Sequence, residues 1–178
     1  MRDTNPAVDL RPLTIRTAAP DDLPQLVAML ADDFLGRERE VVSDPPAAGY
    51  VAAFDAIRAD PNNEIVVACI GDRVVASLQL TFTPSISYQG SWRATVESVR
   101  TAAELRGRGI GAALMHEAIA RARRRGCRML QLTTNKARPD AKRFYERLGF
   151  TASHEGMKLP LEPEPHDVPL PLRADAGP

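Results

Sequence analysis

The residues best suited to chemistry are Leu105-Arg106-Gly107-Arg108-Gly109-Ile110-Gly111-Ala112. Glycines at alternate positions take the Cβ out of a short turn, so its backbone N–H groups can converge on one concavity without steric cost. An apolar-rich run over residues 94–99 precedes the turn, and a helical pattern over 114–125 follows it. The turn therefore leads into a helix N-terminus, where the first N–H groups lack intrahelical partners and the dipole favours negative charge. With Arg106 and Arg108 added, the stretch reads as a cradle for a pyrophosphate.

Three glycine-rich signatures compete for it. A Walker loop needs Gly-x-x-x-x-Gly-Lys followed by Ser or Thr, and no stretch of the chain supplies that. A dinucleotide fingerprint can be forced onto Gly107, Gly109 and Ala112. That motif belongs to a first strand–helix unit and needs an acid about 20 residues on. Here the next strand ends Leu132-Thr133-Thr134-Asn135, with no acid for a ribose, which counts against a nicotinamide oxidoreductase. The third pattern, Arg/Gln-x-x-Gly-x-Gly/Ala, is met by Arg106, Gly109 and Gly111.

The elements that must position the cradle follow from apolar periodicity. Residues 13–18 alternate as a first strand, and Pro20-Asp21-Asp22 supplies a rigid φ and two carboxylates at a helix start. Leu23, Leu26, Val27, Leu30 and Phe34 form that helix's apolar stripe. After a charged break, a second helix carries Tyr50, Val51, Phe54, Ile57 and Arg58 and ends at Pro61-Asn62-Asn63. Residues 64–70 and 73–83 form a hairpin about Gly71-Asp72, and their continuous apolarity predicts a sheet covered on both faces. Residues 84–92 are read as a loop whose Tyr88 and Trp92 either line a pocket or cover a core edge.

Residues 93–101 give the strand before the cradle. In the helix after it, Leu114, Ala118 and Ala122 face the sheet, while Arg121, Arg123, Arg124 and Arg125 complement the dipole of the last turn. Residues 129–133 form a strand, and Pro139 opens a helix over 140–148 with Ala141, Phe144, Tyr145 and Leu148 inward. Residues 150–159 are expected to form a last strand. The expected organisation is a flexible lead-in over 1–12, one α/β domain over 13–159, and a tail over 160–178. Six prolines in those last 19 residues predict disorder.

Composition narrows the partners. The chain has 178 residues, 44% apolar and 26% charged, with 23 basic against 23 acidic side chains. That balance favours neither nucleic acid nor a strongly acidic partner. Cys69 and Cys127 lie in apolar stretches and read as buried free thiols of a reducing compartment. No run approaches the roughly 18 apolar residues of a membrane span, and the first residues carry no signal-peptide core, so a cytoplasmic protein is expected. His116, His154 and His166 do not cluster with cysteines or carboxylates, and no metal is expected.

The cradle and the strand before it resemble the acetyl-CoA-binding motif of the GNAT superfamily of N-acetyltransferases. A second block, Arg143-Phe144-Tyr145-Glu146-Arg147-Leu148-Gly149-Phe150, is similar to that family's helix and final strand. The order of elements over 13–159 fits as well. The resemblance implies a mixed, mostly antiparallel twisted central sheet with helices on both faces. One departure is a longer link before Arg106, filled by Thr101-Ala102-Ala103-Glu104, which bears on the contacts of Arg100 and Thr101.

The activity implied by the resemblance is direct acetyl transfer from acetyl-CoA to a primary amine of a small molecule. No Cys-His or Ser-His pair is evident for an acyl-enzyme. The donor would lie on Val99, Arg100 and Thr101, on Arg106, Gly107, Arg108, Gly109, Ile110, Gly111 and Ala112, and against Asn135 and Tyr145. A backbone N–H near Val99 would hold the tetrahedral oxyanion. Asn135 would bond the pantetheine arm, or else its own loop backbone. Tyr145, a phenol of pKa near 10, is the candidate acid for the departing thiolate. Glu97, on the same strand face as Val99 in the otherwise uncharged stretch 94–99, would be a carboxylate buried among apolar residues and is the candidate base, ammonium binder or structural ion-pair partner. The loops near 35–50 and 84–92 would read the acceptor. Alternatives are a protein amine, a longer acyl-CoA, or a non-catalytic acyl-CoA sensor. The family also makes a homodimer possible.

Overall fold

The computed structural model describes residues 12–33 and 36–161. The lead-in up to residue 11, Phe34, Leu35, and the tail from residue 162, with His166, lie outside the described residues. Strand β1 (Leu13–Thr17) passes through a 3-10 turn at Pro20–Asp22 into helix α1 (Leu23–Ala31). Asp22 anchors that entry. Its carboxylate accepts the Ala19 N–H at 2.7 Å and two bonds from Arg16, at 2.5 and 2.8 Å.

Helix α2 (Ala48–Ala59) leads to the hairpin of β2 (Asn63–Ile70) and β3 (Arg73–Pro84). A four-residue helical segment, α3 (Ser87–Gly90), comes next, with Tyr88 and Gln89 at φ 52° and 61°. Then come β4 (Trp92–Thr101), α4 (Ile110–Arg124), β5 (Cys127–Leu132) and α5 (Pro139–Arg147). The strands lie in the order β1-β2-β3-β4-β5. The first three pairings are antiparallel, and α4 is the crossover to the parallel β4–β5 pair.

Strand alternation explains the unbroken apolarity of β2. Val66 and Ala68 join the core against Ile110, Leu114, Met115, Ala118 and Ala122 of α4. Val67 and Cys69 join Leu26 of α1 and Phe54 of α2 on the opposite face. Both thiols are unpaired, Cys69 buried and Cys127 half-buried. The arginines closing α4 are tied into this scaffold. Arg121 reaches Glu64 at 2.6 Å and Thr17 at 2.9 Å, and Arg125 lies over the Phe82 and Trp92 rings. Trp92 thus covers a core edge.

Residues 150–159 form no strand; past α5 the chain runs irregular to residue 161, and residues 151–161 are exposed. The apolar alternation changes parity at Gly156. Phe150 and Ala152 fall on one face of an extended chain and Met157 and Leu159 on the other, so neither face can be buried whole. No described helix is long and apolar enough to cross a membrane.

Candidate functional site

The glycines of the cradle divide their labour. Gly107 and Gly109 stand at φ 76° and 85°, left-handed positions that a side chain strains, and Gly109 caps α4. Gly111 is helical and serves close approach instead. A Cβ there would stand 3.3 Å from Thr101 Oγ1 and 3.6 Å from the Phe144 ring, so its absence lets β4, α4 and α5 meet. The first intrahelical bond runs from the Ala113 N–H to the Gly109 carbonyl, at 2.9 Å. By helix geometry the N–H groups of Ile110, Gly111 and Ala112 are left for a ligand or solvent. The longer link is pinned rather than loose. Ala102 N–H bonds the Val75 carbonyl at 2.9 Å, Leu105 is buried, and Glu104 pairs with Arg73. Arg106 Nε donates to the Thr101 carbonyl at 3.2 Å.

Beside the cradle the sheet opens. Pairing of β4 with β5 ends at Val96 opposite Leu132, while β4 runs on to Thr101. Within that free stretch β4 carries a bulge: two residues, Ser98 and Val99, oppose the single Leu78, and Ser98 takes φ 52°. The bulge re-aims the last three side chains of the strand. Val99 packs toward the α4 core, Arg100 turns to Asp33 past the end of α1, and Thr101 approaches Gly111. Glu97 and Val99 therefore do not share a face as regular alternation predicts.

Tyr145 is half-buried on α5, its ring edge-on to Phe144 at 5.1 Å and to Phe150 at 5.9 Å. Burial pushes its phenol above the ordinary value, against the pull of the Arg100 and Arg138 charges. The phenol therefore keeps its proton across the physiological range. Glu97 is exposed, which corrects the expectation of a carboxylate buried among apolar residues. Asn135 closes its own turn, its Oδ1 accepting the Ala137 N–H at 2.9 Å, which leaves its amide N–H groups to donate. The segment 84–92 joins β3 to the far end of β4, about seven strand residues or roughly 23 Å from Val99. It does not flank the opening.

A cluster that pattern reading did not find does flank it. Asp33, 4% exposed, receives Arg138 at hydrogen-bond distance and Arg100 at 3.5 Å on the same oxygen, Oδ2. Burial lowers the Arg100 guanidinium below its usual value while Asp33 opposes the shift. Arg100 Nε is buried with no hydrogen-bond partner among the described residues, an omission that costs about 1–3 kcal/mol. Two signals were available: a carboxylate just past a helix C-terminus opposes the dipole, and Arg138 takes the cap position before α5. Among the described residues no group of His, Cys, Asp and Glu is placed to hold a metal; His154 pairs with Ser153 at 2.8 Å.

The model of the Acetyltransferase (GNAT) family matches residues 24–150. An aminoalkylphosphonate N-acetyltransferase of Salmonella typhimurium is 32% identical over 95 residues, 53% of this chain and 61% of that protein, so the match spans less than two thirds of the relative. A Bacillus halodurans protein described as a transcriptional regulator superposes with a TM-score of 0.82 at 58% identity, over 84% of this chain and 99% of that one. An Agrobacterium tumefaciens protein described as a putative acetyltransferase gives 0.75 at 28% identity, over 83% and 99%.

Proposed function

The chain belongs to the GNAT acetyltransferase family, and from that premise we propose that it transfers the acetyl group of acetyl-CoA directly to a primary amine of a small molecule. The observation that carries the reading is the parting of β4 from β5 after Val96 and Leu132, beside the N-terminus of α4. An extended arm can pair with the free edge over Glu97–Thr101 as an added strand. Its pyrophosphate then meets the N–H groups over Arg106–Ala112.

In the proposed step the neutral amine attacks the thioester carbon, and a backbone N–H near Val99 holds the oxyanion. The C–N bond forms, the C–S bond breaks, Tyr145 gives its proton to the departing sulfur, and the proton shed by the new amide nitrogen passes through water to restore the phenol. Glu97, exposed at the opening, gathers the ammonium and passes its proton to water. Likeness to an aminoalkylphosphonate N-acetyltransferase supports a small amine as acceptor. Two unpaired thiols favour the cytoplasm as the compartment.

A second reading rests on the relative described as a transcriptional regulator: an acyl-CoA sensor that binds the donor and turns nothing over. A panel of amines assayed for thiol release from acetyl-CoA separates the two. Amine-dependent release supports the transferase, and binding without release for every amine supports the sensor.

A further inference from the structure

We propose that Arg100 and Arg138, held on Asp33, form the receptor for an acidic oxygen group on the acceptor, so that the amine substrate carries a phosphonate, phosphate or carboxylate. This rests on the transfer reading above and names its substrate class. The cluster stands beside the opening, close enough that both arginine charges act on Tyr145. Arg39 adds a third charge that acts on Arg100, and Glu40, beside Arg39 at 3.9 Å, also accepts the Tyr50 hydroxyl at 2.9 Å. Among Asp33, Arg39, Glu40, Arg100 and Arg138 the guanidiniums outnumber the carboxylates.

The geometry of Arg100 favours an anion over a purely structural pairing. Its Nη2 reaches Asp33 only at 3.5 Å, its Nη1 bonds the carbonyl of the preceding Val99 at 2.9 Å, and its Nε has no partner among the described residues. A guanidinium whose Nε–H is unspent keeps a donor ready for an oxyanion. Arg138, with 30% of its side chain exposed, is the open side of the cluster, and Asp33 and Arg100, at 6% and 16%, are its floor. One buried carboxylate shared between two arginines, Arg100 the more enclosed of them, leaves positive charge that a further anion would complete. An acceptor with its acid seated here would direct its amine toward the β4–β5 opening.

The test is calorimetric titration of the CoA-loaded protein with aminoethylphosphonate, β-alanine and propylamine, alongside kcat/KM for each with acetyl-CoA. The acidic amines should bind at least about tenfold more tightly than propylamine, the size expected of a charge-assisted bond. Arg138→Gln should abolish that preference, and Arg138→Lys, which keeps the charge without the fork, should retain part of it. Preference for the phosphonate over β-alanine assigns the acid to the phosphorus oxyacids, and the reverse assigns it to carboxylates. Equal binding of all three by the wild type, or a preference untouched by both variants, overturns the proposal. Acid-selective binding without thiol release keeps this site and sinks the transfer reading. Equal acetylation of all three amines does the opposite.

Discussion

Val96 and Leu132 are the last pair at which the parallel strands β4 and β5 hold together. Five residues further, Thr101 ends β4 against Gly111 of the next helix. The free edge between those two points and the helix N-terminus beyond them form one continuous surface, and each of its ends yields a prediction.

Gly109 occupies open space at φ 85°. Gly109→Ala should therefore cost only backbone strain, about 1–2 kcal/mol of stability, and leave acetyl-CoA binding largely intact. Gly109→Glu carries the same strain and adds a carboxylate facing the phosphates. Calorimetry should show a loss of acetyl-CoA affinity for Gly109→Glu well beyond that of the alanine variant. Equal affinities for the two variants would mean that the turn is not the pyrophosphate cradle.

Gly111 tests packing instead. A valine there presses on Thr101 Oγ1 and on the Phe144 ring, 3.3 and 3.6 Å from the added Cβ. Gly111→Val should destabilise by about 1–3 kcal/mol. Adding Thr101→Ala should recover part of the loss in a double-mutant cycle followed by denaturant melts. Strict additivity would show that the contact is not what excludes a side chain.

Asp22 sets the pH dependence of stability. Its bonds from Arg16, and then from the Ala19 N–H, hold its carboxyl below the ordinary value of 3.8. A folded-state value below the unfolded one adds stability that is present above the unfolded value and lost as pH falls through the folded one. Wild-type stability should therefore drop below about pH 4, and Asp22→Asn should flatten that limb. At neutral pH the substitution should cost about 1–2 kcal/mol, near the lower end because Arg16 is partly solvated. An unchanged acid limb in denaturant melts at stepped pH would remove Asp22 from this role.

Much of this architecture is legible along the chain because it is local. The glycine turn, the hairpin at Gly71-Asp72 and the stripe of Leu114, Ala118 and Ala122 each declare themselves within a few residues, and the structure places them as read. The bulge is not local information. Ser98 is no glycine, and its left-handed backbone accompanies a register shift of β4 against β3, in the stretch where β5 no longer pairs. With the bulge unseen, Glu97 is read as buried and as sharing a face with Val99. The Asp33–Arg138 contact joins residues 105 apart in sequence, and no periodicity reports a pairing of that span. The last strand fails for a different reason: its composition permits a strand, but its parity breaks at Gly156.

The most direct test of the account is the rate of thiol release with Tyr145→Phe, set beside that variant's affinity for acetyl-CoA. Removing one hydroxyl from a packed ring leaves its contacts with Phe144 and Phe150 in place. With an accepted amine, kcat should fall by about a hundredfold or more, the usual worth of a positioned general acid, while acetyl-CoA affinity stays within about twofold. A variant that turns over at the wild-type rate would contradict the assignment of Tyr145 as the acid and the chemistry built on it.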